Sequence, residues 1–178
     1  QAGAAVAVGG DTDGDGGFEL LIGAPGASVP GASERGAVYV VEGSSPSGLL
    51  GWLGSGLDGF ALDGAAAGDR AGHAVAFGGD VNGDGRDEIL VGGPAARRDV
   101  APGGVAWLVA GGGGPQSLRA ATARFLSTTQ TQALGHAVLG LGDLDADGFD
   151  DVLIGAPGVS MKAGDPGAVF LFPGGPGL

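Results

Sequence analysis

The 178-residue sequence predicts an all-β fold of repeated four-stranded antiparallel blades set around a central axis, the architecture of a β-propeller. Three observations carry that expectation. A nine-residue acidic signature, Asp-x-(Asp/Asn)-x-Asp-Gly-x-x-(Asp/Glu), occurs three times, beginning at Asp11, Asp80 and Asp143. Each copy runs into a short apolar segment that ends in Gly-(Ala/Gly)-Pro. No window shows the 3.6-residue apolar period of a helix, whereas runs such as Leu20-Leu21-Ile22, Ile89-Leu90-Val91 and Val152-Leu153-Ile154 are short, continuous and bounded by turn residues, as buried strands are. A small sheet of that kind cannot bury its two faces alone, and stacking repeats face to face solves the problem.

Each element follows in the same order within a unit of about 65 residues. A first strand precedes the acidic loop, a second follows it, and a variable Gly/Pro/Ser loop leads to a third. The predicted strands are 4–8, 18–22 and 37–41 in the first unit, 73–77, 88–91 and 105–109 in the second, and 136–139, 151–154 and 168–172 in the third. Residues 49–53 and 118–126 are candidates for outer fourth strands, although 117–125 lacks Gly and Pro and could also form a helical turn. The chain therefore reads as one segment of three blades, 1–62, 63–126 and 127–178, the last without an outer strand.

Composition narrows the class. An apolar fraction of 43% is too high for a disordered tail, so the 42 glycines must punctuate many short strands. The formal net charge of −12 argues against nucleic acid and anionic membrane surfaces, which both need a basic face. Eleven of the twenty acids lie at the candidate ligand positions of the three signatures, so three bound Ca2+ ions would bring the net charge from −12 to −6. The acidity is local. With no cysteine and two histidines, thiolate or imidazole metal chemistry has little support. There is no apolar stretch long enough for membrane insertion and no leader, which fits either a processed secreted form or part of a longer chain.

The signatures point to Ca2+. Two like charges about 4 Å apart repel by roughly 1 kcal/mol in water and by several times that near a protein surface. A divalent cation removes the conflict. The candidate ligands are Asp11, Asp13, Asp15, Gly17 and Glu19 in the first loop, Asp80, Asn82, Asp84, Arg86 and Glu88 in the second, and Asp143, Asp145, Asp147, Phe149 and Asp151 in the third. Gly17, Arg86 and Phe149 would act through backbone carbonyls. Glycine at the sixth position permits the sharp turn, and an all-oxygen flexible site suits Ca2+ better than Mg2+. Solvated Asp-Gly turns are the plainer reading; three copies in one phase favour metal. An EF-hand is excluded, because its twelfth position requires an acid and here holds Ile22, Val91 and Ile154.

These residues resemble the FG-GAP repeat of integrin alpha-subunit propellers and of related bacterial surface proteins. The Gly-Ala-Pro half stands as Ile22-Gly23-Ala24-Pro25, Val91-Gly92-Gly93-Pro94 and Ile154-Gly155-Ala156-Pro157. The Phe-Gly half has become Ala71-Gly72-His73 and Leu134-Gly135-His136, and the first unit begins without the Phe-Gly hinge. The resemblance implies Ca2+ in the loop between the first two strands of each blade, with no catalysis. It also implies an extracellular or cell-surface location and a protein-binding, adhesive or scaffolding role. A partner would bind the face opposite the acidic loops, formed by 27–36, 95–103 and 159–167.

Family propellers usually have seven blades, and three cannot close a ring. The expectation is therefore either part of a longer propeller or self-association, the simplest form being a dimer that completes six blades. Other functional classes stay open: a lectin-like glycan-binding propeller, or an accessory domain of an extracellular hydrolase. Trp52 is the candidate sugar contact, while Trp107 reads as packing within a third strand. His73 and His136 recur at equivalent positions, which favours a structural role such as hydrogen bonding to a neighbouring turn, and Arg97-Arg98 reads as a solvated turn.

Overall fold

A computed structural model describes residues 2–28, 31–43, 59–98, 101–113, 117–127, 132–160 and 166–178. The first sheet contains β1 (Ala5–Gly10), β2 (Glu19–Ala24), β3 (Ala37–Val41) and β4 (Gly59–Asp63), hydrogen-bonded in that order. In the second, β5 (Ala74–Gly79), β6 (Glu88–Gly93), β9 (Val105–Val109) and β10 (Ala123–Leu126) are neighbours, and the two-residue strands β7 (Arg97–Arg98) and β8 (Ala101–Pro102) form a small hairpin between β6 and β9. The third has three strands among the described residues, β11 (Ala137–Gly142), β12 (Asp151–Ala156) and β13 (Ala168–Phe172). All pairings within these sheets are antiparallel. The all-β, three-blade expectation holds.

The sheets are stacked face to face, as strand alternation requires. In the second blade Val75 and Val91 pack with Leu21, Val38 and Val40 of the first, while Ala76, Leu90 and Leu108, displaced by one residue along the strand, pack with Val152 of the third. Blade two is thus buried on both faces, and β9 is buried along its whole length. Trp107 is 2% exposed and belongs to the joint between blades one and two, as its place in a third strand predicted. The inner strands β1, β5 and β11 lie side by side, one from each blade.

The first two strands carry the same irregularity in every blade. Pairing slips by one residue between Val8 and Gly10, between Phe77 and Gly79, and between Gly140 and Gly142. This bulge turns the chain into the acidic loop. At the other end of the first strand, a glycine with φ of 85°, 83° and 82° (Gly3, Gly72, Gly135) donates its N–H to the carbonyl of Gly23, Gly92 and Gly155 at 2.9, 3.1 and 3.0 Å. A side chain is disfavoured at such φ. The first unit therefore does possess the glycine hinge, contrary to the sequence reading: Gly3 supplies it, with Ala2 where the resembled repeats place Phe.

Two other expectations change. The outer strand of the first sheet is Gly59–Asp63, paired with β3, whereas 49–53 lies outside the described residues. Residues 117–126 combine both readings. Ser117 caps a 3-10 turn at Leu118–Ala120 by accepting the Arg119 N–H, and the chain then extends into β10.

Candidate metal site

Each acidic loop is built on the bulged first strand and the second strand, and its shape is fixed by its own first carboxylate. Asp11 Oδ1 accepts from the Gly14 and Asp15 N–H groups at 2.7 and 3.2 Å, and its Oδ2 accepts from Gly16 N–H at 2.9 Å. Asp80 repeats the pattern on Gly83, Asp84 and Gly85 at 2.8, 2.9 and 2.9 Å. Asp143 accepts from Asp147 and Gly148, both at 3.0 Å. The third and fifth positions brace the next turn: Asp13, Asn82 and Asp145 accept from the N–H of Asp15, Asp84 and Asp147, which in turn accept from Gly17, Arg86 and Phe149. The sixth-position glycines Gly16, Gly85 and Gly148 sit at φ of 84°, 85° and 95°, the left-handed conformation the turn demands.

The result is convergence of charge. In the first loop Asp11, Asp13 and Asp15, and in the third Asp143, Asp145 and Asp147, each offer a carboxylate oxygen, with the three oxygens within 4.8 Å of one another. The second loop has the same backbone bonds but an amide, Asn82, at its third position. Apart from half-buried Asp11 these carboxylates are exposed, and like charges at that separation repel by about 1 kcal/mol per pair in water. A hard cation with flexible oxygen coordination fits this donor set.

The ninth-position acids stand apart from those trios. Glu19, Glu88 and Asp151 are buried and reach back to the second position, where they accept from the N–H of Thr12, Val81 and Leu144 at 2.5, 2.9 and 3.0 Å. They close the loop as a staple. Glu19 uses one oxygen for both donors of Thr12, leaving the other without a hydrogen-bond donor among the described residues. Glu88 engages both oxygens, with Val81 and Asn82 on one and Gly111 and the Asn82 side chain on the other. Asp151 does likewise with Leu144 and Gly174. Burial is the main cause that pushes the Glu88 carboxyl up to about 7, with the Asp84 charge adding to it against the lowering effect of its backbone donors.

Sequence reasoning missed the eighth position. Asp87 Oδ2 accepts from Asp11 N–H at 3.1 Å while Asp87 N–H donates to the Asp11 carbonyl at 2.9 Å. Asp150 makes the same reciprocal pair with Asp80, at 2.9 and 3.1 Å. Loops one and two are thus each clamped by the loop of the following blade. The signal was present as an acid at position eight in two copies, but partners 76 and 70 residues away give no local pattern. Burial, with repulsion from Asp150, Asp11 and Asp80 adding to it against the lowering effect of the Asp11 N–H, holds the Asp87 carboxyl above its ordinary range.

The opposite end of the blades is joined by glycines. A parallel bridge links Gly36 to Ala71 and another links Gly104 to Leu134, and Gly23 and Gly92 lie directly against the hinge glycines Gly72 and Gly135 of the next blade. Those positions have no room for a side chain. His73 and His136 meet here with ring centroids 5.0 Å apart and planes tilted by 59°. Ring contact therefore takes the place of the hydrogen bond to a neighbouring turn. Burial and the neighbouring His136 and Arg70 charges lower the His73 pKa. Trp52 lies outside the described residues, and Arg97-Arg98 forms a strand of the small hairpin.

The comparisons with known proteins agree with this geometry. The FG-GAP repeat family matches residues 2–41, 71–109 and 135–172, one match per blade. The chain belongs to the FG-GAP repeat family. Integrin alpha-IIb of Mus musculus is 41% identical over 91 residues, which is 48% of this chain and 9% of that protein; the Homo sapiens integrin alpha-IIb gives the same figures. Integrin alpha-4 of Xenopus laevis is 34% identical over 117 residues, covering 65% of this chain and 11% of that protein. The FG-GAP chain thus spans about a tenth of the length of these curated relatives. Among its described residues no helix is long and apolar enough to cross a membrane.

Proposed function

We propose that this FG-GAP chain is a Ca2+-stabilised, non-catalytic binding or scaffolding module of a secreted or cell-surface protein. The observation that carries the reading is the convergence of three carboxylates in loops one and three, repeated on an identical frame of backbone hydrogen bonds in loop two. In each loop the first, third and fifth side chains hold the ion, and the seventh carbonyl and ninth acid are the candidates to complete the shell. Glu19 can do so with its spare oxygen, whereas Glu88 and Asp151 must first release a backbone N–H. Bound Ca2+ supplies charge neutralisation and rigidity. The integrin alpha relatives support an adhesive or protein-binding role, and the adhesive face in this reading is the end opposite the acidic loops.

Thermal unfolding tests the metal. Extracellular Ca2+ modules bind at about 0.1 to 1 mM. At a free concentration about ten times Kd, each site adds roughly 1.4 kcal/mol of stability. The melting temperature should rise in millimolar Ca2+ and fall in chelator, and an identical melt in both would defeat the reading.

A further inference from the structure

We propose that His73 and His136 form a two-imidazole site for a divalent ion of the Zn2+, Ni2+ and Cu2+ class, at the end of the blades opposite the acidic loops and independent of them. Composition gives imidazole chemistry little support, because the chain has two histidines and they lie one repeat apart. Folding removes that objection. Each histidine follows a hinge glycine, Gly72 or Gly135, and stands immediately before an inner strand, β5 or β11, and these two strands lie side by side. The backbone is fixed on both sides: the His73 N–H donates to the Gly92 carbonyl and the His136 N–H to the Ala133 carbonyl, both at 3.1 Å, and Gly92 lies against Gly135 with no room for a side chain. The first blade has Ala4 at the equivalent position, so the pair belongs to the joint between blades two and three.

The ring geometry fits a shared ion. Zn2+ sits about 2.0 to 2.1 Å from a ligating imidazole nitrogen and hence about 3 Å from the ring centre, so at a tetrahedral angle two ring centres stand about 5 Å apart. Those of His73 and His136 are 5.0 Å apart, with planes tilted by 59° rather than stacked. Both side chains are exposed, so their contact buries little apolar surface, and turning one edge of each ring toward a common point needs only a rotamer adjustment. Partial burial, then the His136 and Arg70 charges, lower the His73 pKa, which leaves that ring in the neutral form a metal requires. Arg70 itself is paired with Glu34 at 2.8 Å. Two neutral nitrogen donors select Zn2+, Ni2+ or Cu2+ over Ca2+ and Mg2+, which take oxygen ligands, and leave the remaining positions of the ion to water.

Titration of the full 178-residue chain with ZnCl2, in saturating Ca2+, tests the site, read by calorimetry and by the ring 15N signals of the two histidines. Because those signals report on His73 and His136 alone, the outcome is separate from whether the acidic loops hold Ca2+. In wild type both rings should shift together over one Zn2+ step, and excess Mg2+ should leave that step in place. His73→Gln and His136→Gln should each weaken the step by at least about tenfold, since losing a direct ligand costs no less than losing an outer-shell partner, while the Ca2+ titration stays unchanged. Circular dichroism checks that both variants fold, and the wild-type ring signals decide the matter if either does not. Rings that do not respond to Zn2+, one ring that shifts without the other, or a folded variant that keeps the wild-type affinity overturns the proposal.

Discussion

Loops one and two share a backbone and differ in what they can give an ion. Both are braced by their first carboxylate on the same three N–H groups. Loop one adds three carboxylates in reach of each other and a staple, Glu19, with an oxygen to spare. Loop two replaces one carboxylate by Asn82 and ties up both oxygens of Glu88. Identical geometry therefore does not mean identical affinity, because ligand charge and the hydrogen bonds a ligand must surrender enter separately. Loop one should fill first. The largest expected effect breaks this order: Asp15→Ala should lower affinity in loop one by at least about a hundredfold and remove the earliest step of a calorimetric Ca2+ titration, whereas Asp84→Ala should remove a later one. If both variants delete the same step, the loops are equivalent and the comparison fails.

A gain-of-charge variant sharpens the same contrast. Asn82→Asp gives loop two the trio of loops one and three, and its affinity should rise about tenfold. In chelator the added charge faces Asp80 and Asp84 with no ion between, so the same variant should unfold more easily, by about 1 kcal/mol. Opposite effects in Ca2+ and in chelator separate a metal ligand from a residue of merely structural value.

Proton release by Glu88 gives a third and smaller effect. Its carboxyl is pushed from 4.5 up to about 7 in the folded chain, so between those values the folded state holds a proton that the unfolded state has lost. Stability from this group is therefore full below pH 4.5 and is lost as pH rises toward 7. In chelator, Glu88→Gln should flatten this part of the stability profile, as read from urea midpoints at pH 5 and 7. A wild-type and variant profile with the same slope would show that Glu88 is already ionised at low pH.

Much of this was legible because the informative patterns are local. The acidic signature, the apolar run and the Gly-Pro stop lie within about fifteen residues, a window in which strand and turn chemistry are both decided. What escaped was either weakly marked or distant. Gly3 was overlooked because the sequence motif weights the Phe before it, while the backbone needs only the left-handed glycine. The strand Gly59–Asp63 was passed over because it holds just two large apolar residues, Phe60 and Leu62, and its position is set by pairing with β3. The ninth-position acids were read by analogy of ligand type, and their backbone donors at the second position follow only once the loop closes.

The clamp between loops is the case in which sequence distance hides most, and it yields the smallest predicted effect. Asp87 belongs to loop two by sequence and acts on loop one, holding the N–H and carbonyl of Asp11 at once through its carboxylate and its own backbone. Removing the side chain leaves the Asp11 N–H without its acceptor, a loss of about 1 kcal/mol, equivalent to a few-fold weaker binding in loop one. Asp87→Ala should show that loss in residue-resolved amide exchange at Asp11. Asp87→Asn keeps an acceptor oxygen and should restore the protection. Loop three, two blades away from the change in loop one, is the internal control. Equal loosening of loops one and three would assign Asp87 a general role in stability, whereas loosening confined to loop one establishes that a blade reads the state of its neighbour through a single carboxylate.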